Sequence, residues 1–145
     1  MIKLLKVFKF LLRLFPGIFS IWASFVKLVS NQFTGTSFKL EDIEKVNSSE
    51  MVFLFYGNSG VYIYTVAVLQ LIGGILLIYK KTSLFGALIC LVVFSNAMLV
   101  TYAFNFSPAL ALFFALLNLS YLATLLFEYK KFKNLLIYKN ENQSR

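Results

Sequence analysis

The stretch Val61–Phe104, VYIYTVAVLQLIGGILLIYKKTSLFGALICLVVFSNAMLVTYAF, decides the fold. It holds two nearly uncharged runs, 61–79 and 84–104, each close to the roughly 20 residues a helix needs to cross the hydrocarbon of a bilayer. Backbone that enters lipid must satisfy its own hydrogen bonds, and single runs of this length do so as helices. Lys80-Lys81 and the two residues after them leave room only for a tight turn, so the two helices lie antiparallel. Tyr79 directly precedes the lysine pair, as expected where an aromatic belt meets the headgroups.

The same reading extends outward. Asn105-Phe106-Ser107-Pro108 makes another tight turn, and 109–129 is a further span, with Tyr129 before Lys130-Lys131. The tail 130–145 is basic, partly apolar, then polar, and its end is expected to be loose. Toward the N-terminus, Gly57-Asn58-Ser59-Gly60 separates the 61–79 run from a short apolar stretch, Met51–Tyr56, read as re-entrant or interfacial. Residues 31–60 form a loop whose polar part, 31–50, carries Phe38, Leu40, Ile43 and Val46 near helical spacing, which predicts a short interfacial helix. The remaining span is 10–30, with Pro16-Gly17 in its first turns, where proline is tolerated best. Before it, Lys3, Lys6, Lys9 and Arg13 recur every three or four residues, a basic amphipathic lead-in at the membrane surface. A signal peptide is the rival reading; no A-x-A site follows, and the segment is read as retained. Chain 1–145 is thus expected to be one all-α transmembrane domain, an integral membrane four-helix bundle.

Composition agrees. Apolar residues make up 59% of the 145 and charged residues only 14%, against about 25% in soluble domains. There is too little polar surface to coat a globule, so a soluble enzyme is excluded and nucleic acid is not an expected partner. The net charge of +8 is a topology signal instead. One side holds Lys3, Lys6, Lys9, Arg13, Lys80, Lys81, Lys130, Lys131, Lys133, Lys139 and Arg145, and the other only Lys27, Lys39 and Lys45 beside Glu41, Asp42, Glu44 and Glu50. Both termini are therefore expected in the cytoplasm of a multi-pass protein of the bacterial inner membrane, next to anionic lipid headgroups. There is no histidine and one cysteine, Cys90, which removes the usual haem ligand, any internal disulfide and any CxxC pair. Asn47-Ser48-Ser49 fits the glycosylation tripeptide, a pattern short enough to recur by chance.

The polar residues inside the spans are the candidate sites. Arg13, Gly17, Ser20, Ser24 and Lys27 recur at intervals of four and three, a seam on one face of the first helix. Small residues let helices approach closely in lipid, so the seam reads first as a packing face with a cation at each end. Arg13 is expected to snorkel to the cytoplasmic edge. Lys27 is expected to pair with Glu41, Asp42 or Glu44 and hold the loop over the bundle. Gln70, followed by Gly73-Gly74, Asn96 and Asn118 lie within the other spans. Buried amides need partners, and interhelical bonding is their ordinary role; a substrate or quinone head group could use the same amides. Gly86, Cys90, Ala97, Ala111 and Ala115 complete a compact left-handed bundle, while Phe85, Phe94, Phe113 and Phe114 are read as facing lipid or a partner.

Arg13-x3-Gly17 with Ala23-Ser24-x2-Lys27-Leu28 resembles the first-helix pattern R-x3-G-x2-F-x2-S-G-x2-K of DoxX-like membrane proteins. Gly35-Thr36-Ser37-Phe38-Lys39-Leu40-Glu41-Asp42 resembles the outer loop of a DoxX/MauE-type, Bacteroidetes-like branch, and Gln70-Leu71-Ile72-Gly73-Gly74 its second-helix E-x2-G-G. The resemblance covers about residues 10–130 in order and spacing. It departs at Ser20, where the pattern has phenylalanine, at Ser24, where it has glycine, and at Gln70, where it has glutamate. A glutamine can hydrogen-bond but cannot titrate, which puts a charge-dependent role of that position in question. The resemblance implies a small accessory of membrane redox or envelope systems.

Three functions follow in order of expectation. The first is a non-catalytic subunit docked on other integral membrane subunits. The second is a redox accessory that binds a quinone, or serves a thiol partner, through a pocket of Lys27, Gln70 and an amide such as Asn96. The third is a small carrier or channel, which would usually show internally related halves. No enzyme activity, metal or tightly held cofactor is expected beyond that quinone.

Overall fold

A computed structural model describes residues 2–29, 47, 50–52, 56 and 59–143. It contains four long helices among these residues: α1 (Ile2–Val29), α2 (Gly60–Ile78), α3 (Ser83–Ala103) and α4 (Pro108–Gln143). No strand occurs among the described residues. Gly60–Ile78, Ser83–Ala103 and Pro108–Tyr129 are each long and apolar enough to cross a membrane, as in a multi-pass membrane protein. The expected interfacial helix and the expected acidic partners of Lys27 lie outside the described residues. Next to them, Asn47 and Glu50 form a reciprocal cap: Glu50 N–H donates to Asn47 Oδ1 at 2.9 Å and Asn47 N–H to Glu50 Oε2 at 3.1 Å.

Local chemistry sets the helix ends. Ser59 caps α2, its hydroxyl accepting from the Tyr62 N–H at 3.3 Å. The α2–α3 turn is tied by the Thr82 hydroxyl, which donates to the Leu76 carbonyl at 2.9 Å. After α3, Asn105 adopts a φ of 51° and the Phe106 N–H returns to the Thr101 carbonyl at 3.0 Å, closing the last turn. Pro108 then opens α4, where its missing N–H has no helical partner to lose.

Neighbouring helices are antiparallel and close into a ring. The most extensive contact is between α1 and α2, those of α2 with α3 and of α3 with α4 are nearly as large, and the α4–α1 contact is smaller. Backbone approach explains the strong contacts. A Cβ on Gly74 would lie 2.8 Å from the Gly17 carbonyl, and one on Gly17 2.6 Å from Ile78 Cγ1. A Cβ on Gly86 would lie 2.6 Å from Leu77 Cα. In lipid, where apolar burial supplies little drive between helices, such close packing is the main source of association. The core joins Ala23, Leu77, Ala87, Cys90, Phe94, Leu117 and Tyr121. The ring closes through Phe19 edge-on to Phe113 at 4.9 Å and Lys9 Nζ 4.6 Å over the Phe127 ring.

Three expectations need correction. Pro16 is not in the first turns of a helix, because α1 begins at Ile2 and runs through the lead-in, leaving the proline in its interior. Beyond the 109–129 span, α4 continues through the basic tail to Gln143. Phe94 does not face outward: it is 1% exposed and packs, with its ring tilted, against Phe19, Phe114 and Tyr121. Phe113 and Phe114 are half-buried against the same core, so of the four phenylalanines only Phe85 is exposed. Arg13 does not snorkel. It is 8% exposed, since it shares the inward face of α1 with Pro16, Gly17 and Ser20.

Candidate functional site

The seam on α1 is a packing face for most of its length. Gly17, Ser20 and Ser24 are all buried. The Ser20 hydroxyl sits where three helices meet: it donates to the Gln70 main-chain carbonyl at 2.9 Å and lies 3.5 Å from Cys90 Sγ. Ser24 Oγ is buried with no hydrogen-bond partner. At the lower end, Arg13 Nε donates to the Lys9 carbonyl at 3.1 Å while Nη1 is buried without a partner.

At the upper end the face opens. Lys27, Gln70 and Asn96, from α1, α2 and α3, line one cavity of about 310 Å³. That volume is at the small end of the range for sites that hold organic ligands. The other walls come from Val52 and Tyr56 before α2, Thr101 at the end of α3, and Phe106, Leu110 and Phe114 around the start of α4. Most of the lining is aliphatic or aromatic, with Phe19, Trp22, Val66 and Phe94 prominent. Lys27 is the one charged side chain among the described lining residues.

The polar groups are segregated. Near the Lys27 end, Asn96 Nδ2 donates to the Tyr62 hydroxyl at 2.9 Å, and the Tyr62 ring stacks on Tyr56 at 4.8 Å. Burial, then the hydrogen bond and charge interaction with Tyr62, push the Tyr56 phenol above its ordinary range, while a bond to Asn96 opposes the rise. Lys27 Nζ donates to the Ala23 carbonyl at 3.3 Å, the carbonyl one turn back on its own helix. Gln70 lies at the far end. It is 3% exposed, and its side-chain Oε1 is buried without a partner.

Asn118 stands apart from this cavity. It accepts from the Ser95 hydroxyl at 3.3 Å and donates to Met98 Sδ at 3.7 Å, both on α3. Its role is to join α3 to α4, the interhelical bonding expected of a buried amide. The structure therefore brings Lys27, Gln70 and Asn96 together and leaves Asn118 and Arg13 elsewhere.

Sequence reasoning missed Tyr56, Tyr62 and Thr101 in the lining, and the buried Glu128 on α4. For Tyr62 a signal was present: Tyr62, Val66 and Gln70 are four residues apart and so share a helix face. For Tyr56, which precedes α2, no periodicity pointed inward. Comparison with protein-family models, with curated proteins and with solved structures finds no match to this chain. The likeness to DoxX-like proteins accordingly rests on the motif residues alone.

Proposed function

We propose that the chain crosses a bacterial cytoplasmic membrane four times with both ends in the cytosol. We further propose that it is a DoxX-like accessory subunit, without chemistry of its own, that holds a lipophilic molecule for a larger membrane assembly. Support for the fourth crossing comes from α1, whose 28 residues extend about 42 Å, more than the hydrocarbon thickness, antiparallel to α2. The lysine distribution supports the orientation. One observation carries the ligand reading: three helices bring the polar side chains of Lys27, Gln70 and Asn96 to a single, largely apolar cavity. A quinone-linked redox accessory is the second reading, favoured by the same amide and ammonium donors set among aromatic rings.

The test is extraction in mild detergent, followed by sizing and mass spectrometry of both protein partners and bound lipids. The expected result is an assembly well above 16.6 kDa with a co-purifying lipophile, and Ala97→Trp, which fills the cavity, retains the assembly but loses the lipophile. A solitary chain that carries nothing refutes the proposal.

A further inference from the structure

The two ends of the cavity make different demands on an occupant. At one end, the Lys27 ammonium meets no carboxylate among the described lining residues, and the bond to Ala23 uses one of its three N–H donors. At the other end, the side-chain oxygen of Gln70, Oε1, is a buried acceptor with nothing to accept from. An unmet acceptor in an apolar site is costly, so the floor favours a ligand that brings a donor. Between the ends, the walls are mostly Val66, Phe94 and other aliphatic and aromatic side chains, which offer chiefly dispersion contact.

The helix geometry gives the spacing. The Ser20–Gln70 bond places Gln70 level with Ser20. Lys27 is two helical turns further along α1, so the two backbone levels are about 10 Å apart along the bundle, and the Lys27 ammonium reaches back from its own level toward Ala23. The charge at the mouth limits the head group. A phosphate monoester carries nearly two negative charges and three strong acceptor oxygens, which a single ammonium leaves largely unmet. A carboxylate carries one charge.

We infer that the cavity binds a medium-chain amphiphile polar at both ends, with a carboxylate paired to Lys27 at the mouth and a hydroxyl donating to Gln70 at the floor. This rests on the ligand-binding reading above and adds the chemistry of the two ends. Trp22, the single tryptophan, lines the cavity and reports occupancy by its fluorescence.

The full chain in phosphatidylcholine nanodiscs is titrated, at a pH where the acids are ionised, with decanol, decanoate, decyl phosphate, ω-hydroxydecanoate and decylubiquinone, with empty nanodiscs as control. Decanoate is expected to bind about tenfold more tightly than decanol, and Lys27→Gln to abolish that preference. ω-Hydroxydecanoate is expected to bind about fivefold more tightly than decanoate, and Gln70→Leu to remove that gain alone. Equal binding of decanol and decanoate, a hydroxyl gain that survives Gln70→Leu, or tighter binding of decyl phosphate overturns the inference while leaving a lipophile-binding cavity in place. Decylubiquinone outcompeting every acid overturns it in favour of the quinone reading. If no compound in the series binds, decanol included, the cavity reading itself falls and the inference with it.

Discussion

The sharpest test of the packing is a single methyl group at Gly86. The Cβ that Gly86→Ala adds would fall on the Leu77 main-chain nitrogen, 2.6 Å from Leu77 Cα and 2.7 Å from the Gly73 carbonyl oxygen. All three neighbours are backbone atoms of α2, so no side chain can rotate away. To restore a carbon–carbon separation of about 3.5 Å, α3 and α2 must part by roughly 1 Å, and a gap of that size forfeits up to about half the attraction of each contact it opens. Gly73 and Cys90 lie on the same crossing, so the loss spreads along the interface. Overpacking of this kind costs about 1–3 kcal/mol, and the upper half of that range is expected here because rigid backbone meets rigid backbone. Gly60→Ala is the control: its Cβ would meet only Tyr64 Cε2, at an ordinary 3.8 Å. Reversible unfolding in mixed micelles, followed by helical circular dichroism, measures both. If Gly86→Ala and Gly60→Ala unfold within about 0.5 kcal/mol of each other, the α2–α3 backbone contact described above is wrong.

Two further outcomes follow from the three-helix junction. Ser20→Ala removes the 2.9 Å bond to the Gln70 carbonyl and should lower stability by about 0.6 kcal/mol in the same micelle assay, whereas Ser20→Val, which pushes toward Cys90, should cost more. Cys90 has no solvent exposure, so a membrane-permeant maleimide should label it only as the bundle unfolds; labelling of the native protein at the unfolded rate would place Cys90 outside the core.

The apolar spans were legible almost to the residue. The sequence predicts 61–79 and 84–104, and the helices run Gly60–Ile78 and Ser83–Ala103. Long uncharged runs bounded by lysines and prolines leave little freedom in where a membrane helix starts and stops. The amphipathic ends were harder. Lys3 to Lys9 and the residues after Tyr129 mix charge with apolar side chains, a pattern that fits a surface segment and a continuing helix equally well. In the tail, Phe132, Leu135 and Leu136 recur at helical spacing, a signal outweighed by the polar residues that follow them. The cavity was half legible. Lys27, Gln70 and Asn96 attract notice because polar groups are costly in lipid, whereas tyrosine is equally at home in an interfacial belt, so nothing marked Tyr56 and Tyr62 as lining.

The misplacement of Phe94 has a more general cause. In water, the contrast between polar and apolar faces tells which side of a helix is inward. A helix in lipid is apolar all round, and that contrast disappears. What replaces it is size. On α3 the buried positions include Ser83, Gly86, Cys90 and Thr101, small or hydroxyl-bearing residues that recur at intervals of three, four and eleven. Phe94 is four residues beyond Cys90 and so belongs to the same stripe. Read as a large side chain, it suggests an outward face; read by its register with the small ones, it must point inward. Its bulk then has a definite use. Where Gly86 lets α3 touch α2, Phe94, two turns further along, wedges between Phe19, Phe114 and Tyr121. It is also part of the wall of the cavity that Lys27 and Gln70 share. Close contact at the Gly86 end and a wedge of aromatic rings at the Phe94 end belong to one geometric arrangement, and the cavity opens beside the wedge.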